Sequence, residues 1–215
     1  MFFLKKQAQR LLLSALTCLF VVGLYSAFDR GVAAFWAPET ASQPALEAVS
    51  GFSLGENLDE DLRYAQSQLL AQGATASAIM PYVAVMSEEN VYPGTPETSA
   101  RGAVGAALAG NQLVVRGSFR DLTSAMRDYA MDPVSPPNPN ITSAFHIHQG
   151  MPTENGPFQY ALDVTLDETN RSGNATGSYA LTPEQLQALN NGQLYVDIHT
   201  TENRGGELRA ILMPY

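Results

Sequence analysis

Residues 193–213 read QLYVDIHTTENRGGELRAILM. Up to Thr200 the pattern has a period of two. Val196 and Ile198 fall on one side, and Tyr195, Asp197 and His199 on the other. Alternation of this kind marks a half-buried strand, because successive side chains on an extended backbone point to opposite faces. Asn203, Gly205 and Gly206 then supply turn chemistry, and ELRAILM (207–213) resumes as a second strand. The same grammar extends back through the chain. YVAVM (82–86), GAVGAALA (102–109), QLVVRGSF (112–119), ITSAFHIH (141–148), FQYALDVTL (158–166) and GNATGSYAL (173–181) are runs of strand length, most of them separated by Gly, Asn or Pro. Eight runs over about 135 residues predict an all-β fold, an antiparallel β-sandwich or barrel of about eight strands. One interruption is helical. In TPEQLQALN, Thr182 is placed to cap, Pro183 to open the first turn and Gln185 to close a capping box. RDYAMDPVSPPNPN (127–140) is too rich in proline for regular structure and reads as a surface loop.

Upstream of residue 79 the character differs. NLDEDLRYAQSQLLAQG carries Leu58, Leu62, Ala65, Leu69 and Leu70 at helical spacing, with Asn57 and Glu60 as capping partners and Gly73 as the stop. Residues 57–78 are therefore an amphipathic helix and connector, docked on the main domain or standing free as a spacer. Residues 35–56, a mixture of Pro, Ser, Ala, Gly and Glu, read as a linker. Residues 1–34 open with Lys5, Lys6 and Arg10 and continue with a charge-free apolar run from Leu11 to Phe28. That order fits a secretory signal peptide, cleaved after a small-residue site at Val32-Ala33-Ala34, or an uncleaved N-terminal membrane anchor. Either way the rest of the chain is expected to be exported: periplasmic, extracellular or anchored to the outer face of a membrane. Any membrane association would then run only through this segment. The single cysteine, Cys18, lies inside it, so a cleaved chain would have no disulfide to use.

The formal net charge of −9 excludes nucleic acid as a natural partner. Four of the twelve basic residues and one of the 21 acids lie in residues 1–34, which leaves eight arginines, 20 acids and no lysine beyond them. Hydrolase chemistry finds no support: there is no nucleophile elbow, and no cysteine beyond residue 34. Histidine usage is more telling. The chain has three, His146, His148 and His199, all in two of the predicted strands. Phe145 and Ile147 take the core face of the first, so His146 and His148 share the other, roughly 6–7 Å apart. If the two strands are neighbours, the three rings converge off the core. Three imidazoles suit one copper or zinc ion, with copper preferred. Asp197 shares the face of His199 and is placed to ligate or to orient a ring, and Glu207 and Arg209 alternate together as a salt-bridged pair behind the ligands. The competing reading is that the histidines tie down the loop QGMPTENGP (149–157) by hydrogen bonds, and that the module works through its loops.

Three blocks resemble the CHRD domain, a module named for chordin and found in many bacterial exported proteins. They are YVAVMSEENVYPGTPETSARGAVGA (82–106), AFHIHQGMPTENGPF (144–158) and LTPEQLQALNNGQLYVDIHTTENRGGELRAIL (181–212). The resemblance covers residues 79–215. It implies an immunoglobulin-like β-sandwich with limited similarity to copper/zinc superoxide dismutases. In those enzymes a His-x-His strand and a further strand histidine hold copper, an order that His146, His148 and His199 match. The remaining dismutase ligands have no counterpart here, so dismutase activity is not expected. The sequence departs from the family at Asp197, where Asn is usual, at Arg204, where Pro is common, at Ala210 in place of Gly, and in the segment 127–140, which reads as an insertion. Together these readings predict an exported, non-enzymatic module engaging an unknown protein or envelope partner, with single-site copper or zinc binding as the alternative.

Overall fold

The computed structural model describes residues 53–215. Residues 1–34, read above as a signal peptide or anchor, and most of the segment read as a linker therefore lie outside the described residues. The predicted β architecture is present, with ten strands in place of about eight. They form two antiparallel sheets. One has six strands in the order β10-β1-β2-β3-β7-β6: Met213–Pro214, Met80–Met86, Arg101–Ala109, Gln112–Arg120, Gly173–Ala180 and Asp163–Leu166. The other has four, β5-β4-β8-β9: Phe158–Ala161, Phe145–Gln149, Leu194–Ile198 and Leu208–Ile211.

The two additional strands come from runs that divide. FQYALDVTL leaves the four-stranded sheet after Ala161 and enters the six-stranded sheet at Asp163. ELRAILM does the same between Ile211 and Met213. The residue at each crossing, Leu162 or Leu212, is fully buried between the layers. Each still donates its amide to the four-stranded sheet, Leu162 to the Phe145 carbonyl at 2.9 Å and Leu212 to the Leu194 carbonyl at 3.0 Å. The layers enclose one core in which Val104, Leu108, Val115 and Phe119 of the large sheet meet Phe145, Ile147, Val196 and Ile198 of the small one.

Helix α1 (Leu54–Ala71) packs on the outer face of the six-stranded sheet. It starts earlier than the sequence reading, because Ser53, not Asn57, is the cap: its hydroxyl accepts the Glu56 amide at 3.3 Å. Gly73 ends it as expected, with a positive φ of 95°. Ala65 and Leu69 sit on Ala107 and Val114, so β2 is buried on both faces. Close approach depends on Gly105, where a Cβ would stand 2.3 Å from the Leu62 nitrogen. The docked face also carries an acid. Asp61 is 1% exposed, accepts from the Ser118 hydroxyl at 2.9 Å and pairs with Arg116 Nε at 3.1 Å. Helix α2 (Pro183–Asn190) has the predicted capping box of Thr182 and Gln185. Among the described residues no helix is long and apolar enough to cross a membrane.

Candidate metal centre

The three histidines meet on the outer face of the four-stranded sheet. Strands β4 and β8 are antiparallel neighbours, with His146 opposite Asp197, and Asp197 is in turn opposite Arg209 on β9. This row crosses three strands on one face, while Phe145, Ile147, Val196 and Ile198 fill the core on the other. His199 lies one residue beyond β8, and its amide continues the ladder to the Ala144 carbonyl at 2.9 Å. Ring centroids are 5.0 Å apart for His146 and His199, 5.5 Å for His146 and His148, and 6.1 Å for His148 and His199.

Facing away from the sandwich core does not leave these rings in water. His146 is 2% exposed and Asp197 wholly buried. A roof of loops covers them, which alternation along the strands does not reveal. Tyr129, from the proline-rich segment, places its ring 5.3 Å from that of His146 and 6.4 Å from that of His199. Phe158 stands edge-on to His146 at 5.2 Å. Tyr195 stacks flat on His148, 5.2 Å away and 8° from parallel. The roof is strapped down by Asp132, which accepts from Arg127 at 2.8 Å and from Arg204 at 2.6 Å, and Arg127 lies over the Tyr129 ring. The proline-rich segment and Arg204 thus cover the histidines together.

Each imidazole has one nitrogen committed to a main-chain carbonyl. His146 Nε2 donates to Ser143 at 2.6 Å, His148 Nδ1 to Gly156 at 3.0 Å and His199 Nδ1 to Arg204 at 3.0 Å. A carbonyl only accepts, so these contacts fix the tautomers and leave His146 Nδ1, His148 Nε2 and His199 Nε2 as lone pairs in the neutral rings. Asp197 Oδ1 lies 3.1 Å from His199 Nε2 and 3.3 Å from His148 Nε2. With the ring neutral, the buried His148 Nε2 has no hydrogen-bond donor to accept from. One donor atom from each of His146, His148, Asp197 and His199 falls within 4.8 Å of all the others. Burial, helped by the charge of His199, pushes the His146 pKa down to about 3, so that ring stays neutral. Burial works against the charged form of His148, but the hydrogen bond and charge of Asp197 outweigh it and raise its pKa. Burial alone would raise Asp197; the positive charge of His199 and the hydrogen bonds that His148 and His199 donate when protonated hold it well below the usual carboxylate range.

Arg209 reaches Asp197 Oδ2 at 3.2 Å. Glu207 does not join it. Its carboxylate turns into a separate knot, accepting from Thr98, from the amide and hydroxyl of Thr123, from Thr200 and from Asn203 at 2.7–3.3 Å. Glu207 lies at a bend before β9 begins, so strand alternation with Arg209 does not apply to it. Sequence reasoning missed Tyr129 and the carbonyls of Ser143 and Arg204; the reading that the histidines tie down the loop 149–157 holds for His148, which donates to Gly156, and not for His146 or His199.

Among comparisons with known proteins, the family model described as CHRD domain matches residues 82–212. Neither the curated proteins nor the solved structures yield a match.

Proposed function

Because this chain belongs to the CHRD domain family, we propose that its sandwich is a non-enzymatic module with one built-in metal site, where His146, His148, His199 and Asp197 hold a single copper or zinc ion. The observation that carries this reading is the crowding of lone pairs at Asp197. Two imidazole nitrogens, each with its partner nitrogen already donating to a carbonyl, face one carboxylate oxygen at 3.1 and 3.3 Å. Lone pairs opposed in a buried site repel unless cations stand between them. Two added protons would serve, at the cost of two imidazolium charges beside the buried Arg209. One divalent ion does the same work with a single centre. The two Asp197–imidazole spacings are close to those of a tetrahedral ion, whose bonds of about 2.0–2.1 Å give ligand–ligand edges of about 3.3–3.4 Å, and the whole donor set lies within 4.8 Å. The carbonyl behind each ring is the outer support that metal-bound histidines typically have.

Four protein donors, all roofed over, make a closed site of the structural or storage kind, with no coordination position reserved for a substrate. That favours a non-enzymatic role. The signal-like residues 1–34 support a place outside the cytoplasm, and a chain without cysteine there would gain from a metal what small exported domains draw from disulfides. Its partner would be a protein or another envelope component.

The test is metal content by mass spectrometry of the full chain, purified without a polyhistidine tag and titrated with copper and zinc. One equivalent retained through dialysis, and lost in the His146→Ala/His148→Ala double variant, is expected. A parent chain that binds no more than the double variant would refute the metal site and leave an interaction or adhesion module.

A further inference from the structure

We infer that Arg209 sets the coordination number of this site by restricting Asp197 to one oxygen. The inference rests on the metal reading above and specifies the geometry its occupant must take. The two oxygens of Asp197 are divided between different partners. Oδ1 faces His148 and His199, whereas Oδ2 takes the Arg209 guanidinium at 3.2 Å. Arg209 is 2% exposed and held from other sides as well. It donates to the Glu154 carbonyl at 3.1 Å and to Asn155 Oδ1 at 2.8 Å, and its guanidinium lies 4.3 Å from the centre of the Tyr195 ring. On the strand ladder it is the direct partner of Asp197. A guanidinium fixed this way cannot swing off, so Oδ2 keeps a permanent donor and the carboxylate plane is set.

A carboxylate can offer a metal one oxygen or two. Chelation by both would draw Oδ2 to within about 2.0–2.2 Å of the ion, break its bond to Arg209 and press a cation against a guanidinium. With Oδ2 withheld, the ion sees three nitrogens and one oxygen. Four such donors suit tetrahedral zinc, and they disfavour ions that seek tetragonal or octahedral surroundings, cupric copper and nickel among them. Arg209 therefore narrows the general advantage of copper over zinc without touching the ion.

Cobalt(II) is the probe, because its visible d–d bands are intense in tetrahedral sites and weak at higher coordination. The full chain is expected to bind one equivalent with the intense bands. Arg209→Gln is expected to keep the equivalent, lose the intense bands and raise the ratio of copper(II) to zinc affinity severalfold. Arg209→Lys is expected to restore the bands, since an ammonium can still hold Oδ2; a purely packing role for the guanidinium would not be rescued this way. Weak, high-coordinate bands in the parent overturn the inference without any variant, and so do unchanged tetrahedral bands in a folded Arg209→Gln chain. If the parent binds none of cobalt, copper and zinc, the metal reading itself has failed.

Discussion

Asp61 is an acid on the apolar face of a docked helix, and its cost should be visible as a pH dependence of folding. Burial pushes its pKa from 3.8 up to about 6, against the opposing pull of Ser118 and Arg116. The folded state thus holds its proton more tightly than the unfolded chain. Between pH 4 and 6 the native protein binds more protons than the unfolded one, so stability falls as pH rises through that window and levels off above it. A shift of about two units corresponds to about 3 kcal/mol when complete, of which about 2 kcal/mol develops between pH 4.5 and 7.5. Asp61→Asn keeps the shape and removes the titration. Urea unfolding of both chains at half-unit steps across that range gives the difference in stability, in which Asp197 and Glu207 cancel because both chains carry them. The Asn variant should gain on the parent by about 2 kcal/mol from the acid end to the neutral end, whatever constant offset the amide introduces. A difference flat in pH would refute the claim that Asp61 is forced to ionise inside the helix–sheet interface.

Other consequences are open to direct measurement. Gly105→Ala would drive a methyl into the α1 backbone at Leu62, and overpacking of this kind should cost about 1–3 kcal/mol, read as a lowered Tm with partial loss of helical circular dichroism. Glu207→Gln removes half of a carboxylate that gathers five donors and is held below its usual pKa by the Thr123 amide and the Thr200 and Thr98 hydroxyls against the effect of burial; roughly 2–3 kcal/mol should be lost in chemical denaturation. Protein stripped by chelator should be about 2.7 kcal/mol less stable than protein in metal at 100 times its Kd, and coincident melting curves would count against the site. Asp197→Asn, which removes the carboxylate charge and keeps the shape, should weaken zinc binding by at least about tenfold in competition with a colorimetric chelator.

Much of this structure could be read from one-dimensional pattern, for a definite reason. Period-two alternation states which side of a strand faces the core, and so it put His146, His148 and His199 on one surface before their neighbours were known. It could not show that Leu162 and Leu212 lead into another sheet, because a residue buried between layers looks the same as one buried within a strand. The start of α1 was misread because Asn57 and Glu60 have the spacing of a cap, as do Ser53 and Glu56, and local spacing does not choose between the two pairs. Nothing local in the sequence marks Asp61 for burial; its partners Arg116 and Ser118 meet it across the interface from a strand more than fifty residues away. The roof over the histidines depends on where a proline-rich loop comes to rest, and on an ion pair between Asp132 and Arg204, 72 residues apart in sequence. No local rule encodes such a meeting.

The crossings at Leu162 and Leu212 also join the two layers along the chain. Each ties a strand of one layer covalently to a strand of the other. Strand β1 waits longest, since its partner β10 follows about 130 residues later, with Val83 facing Met213. Closure over so long a span is slow. In a chain fed out end-first from a ribosome, the edge of β1 that pairs with β10 stays open until Met213 emerges, and an open strand edge is a template for pairing with another chain.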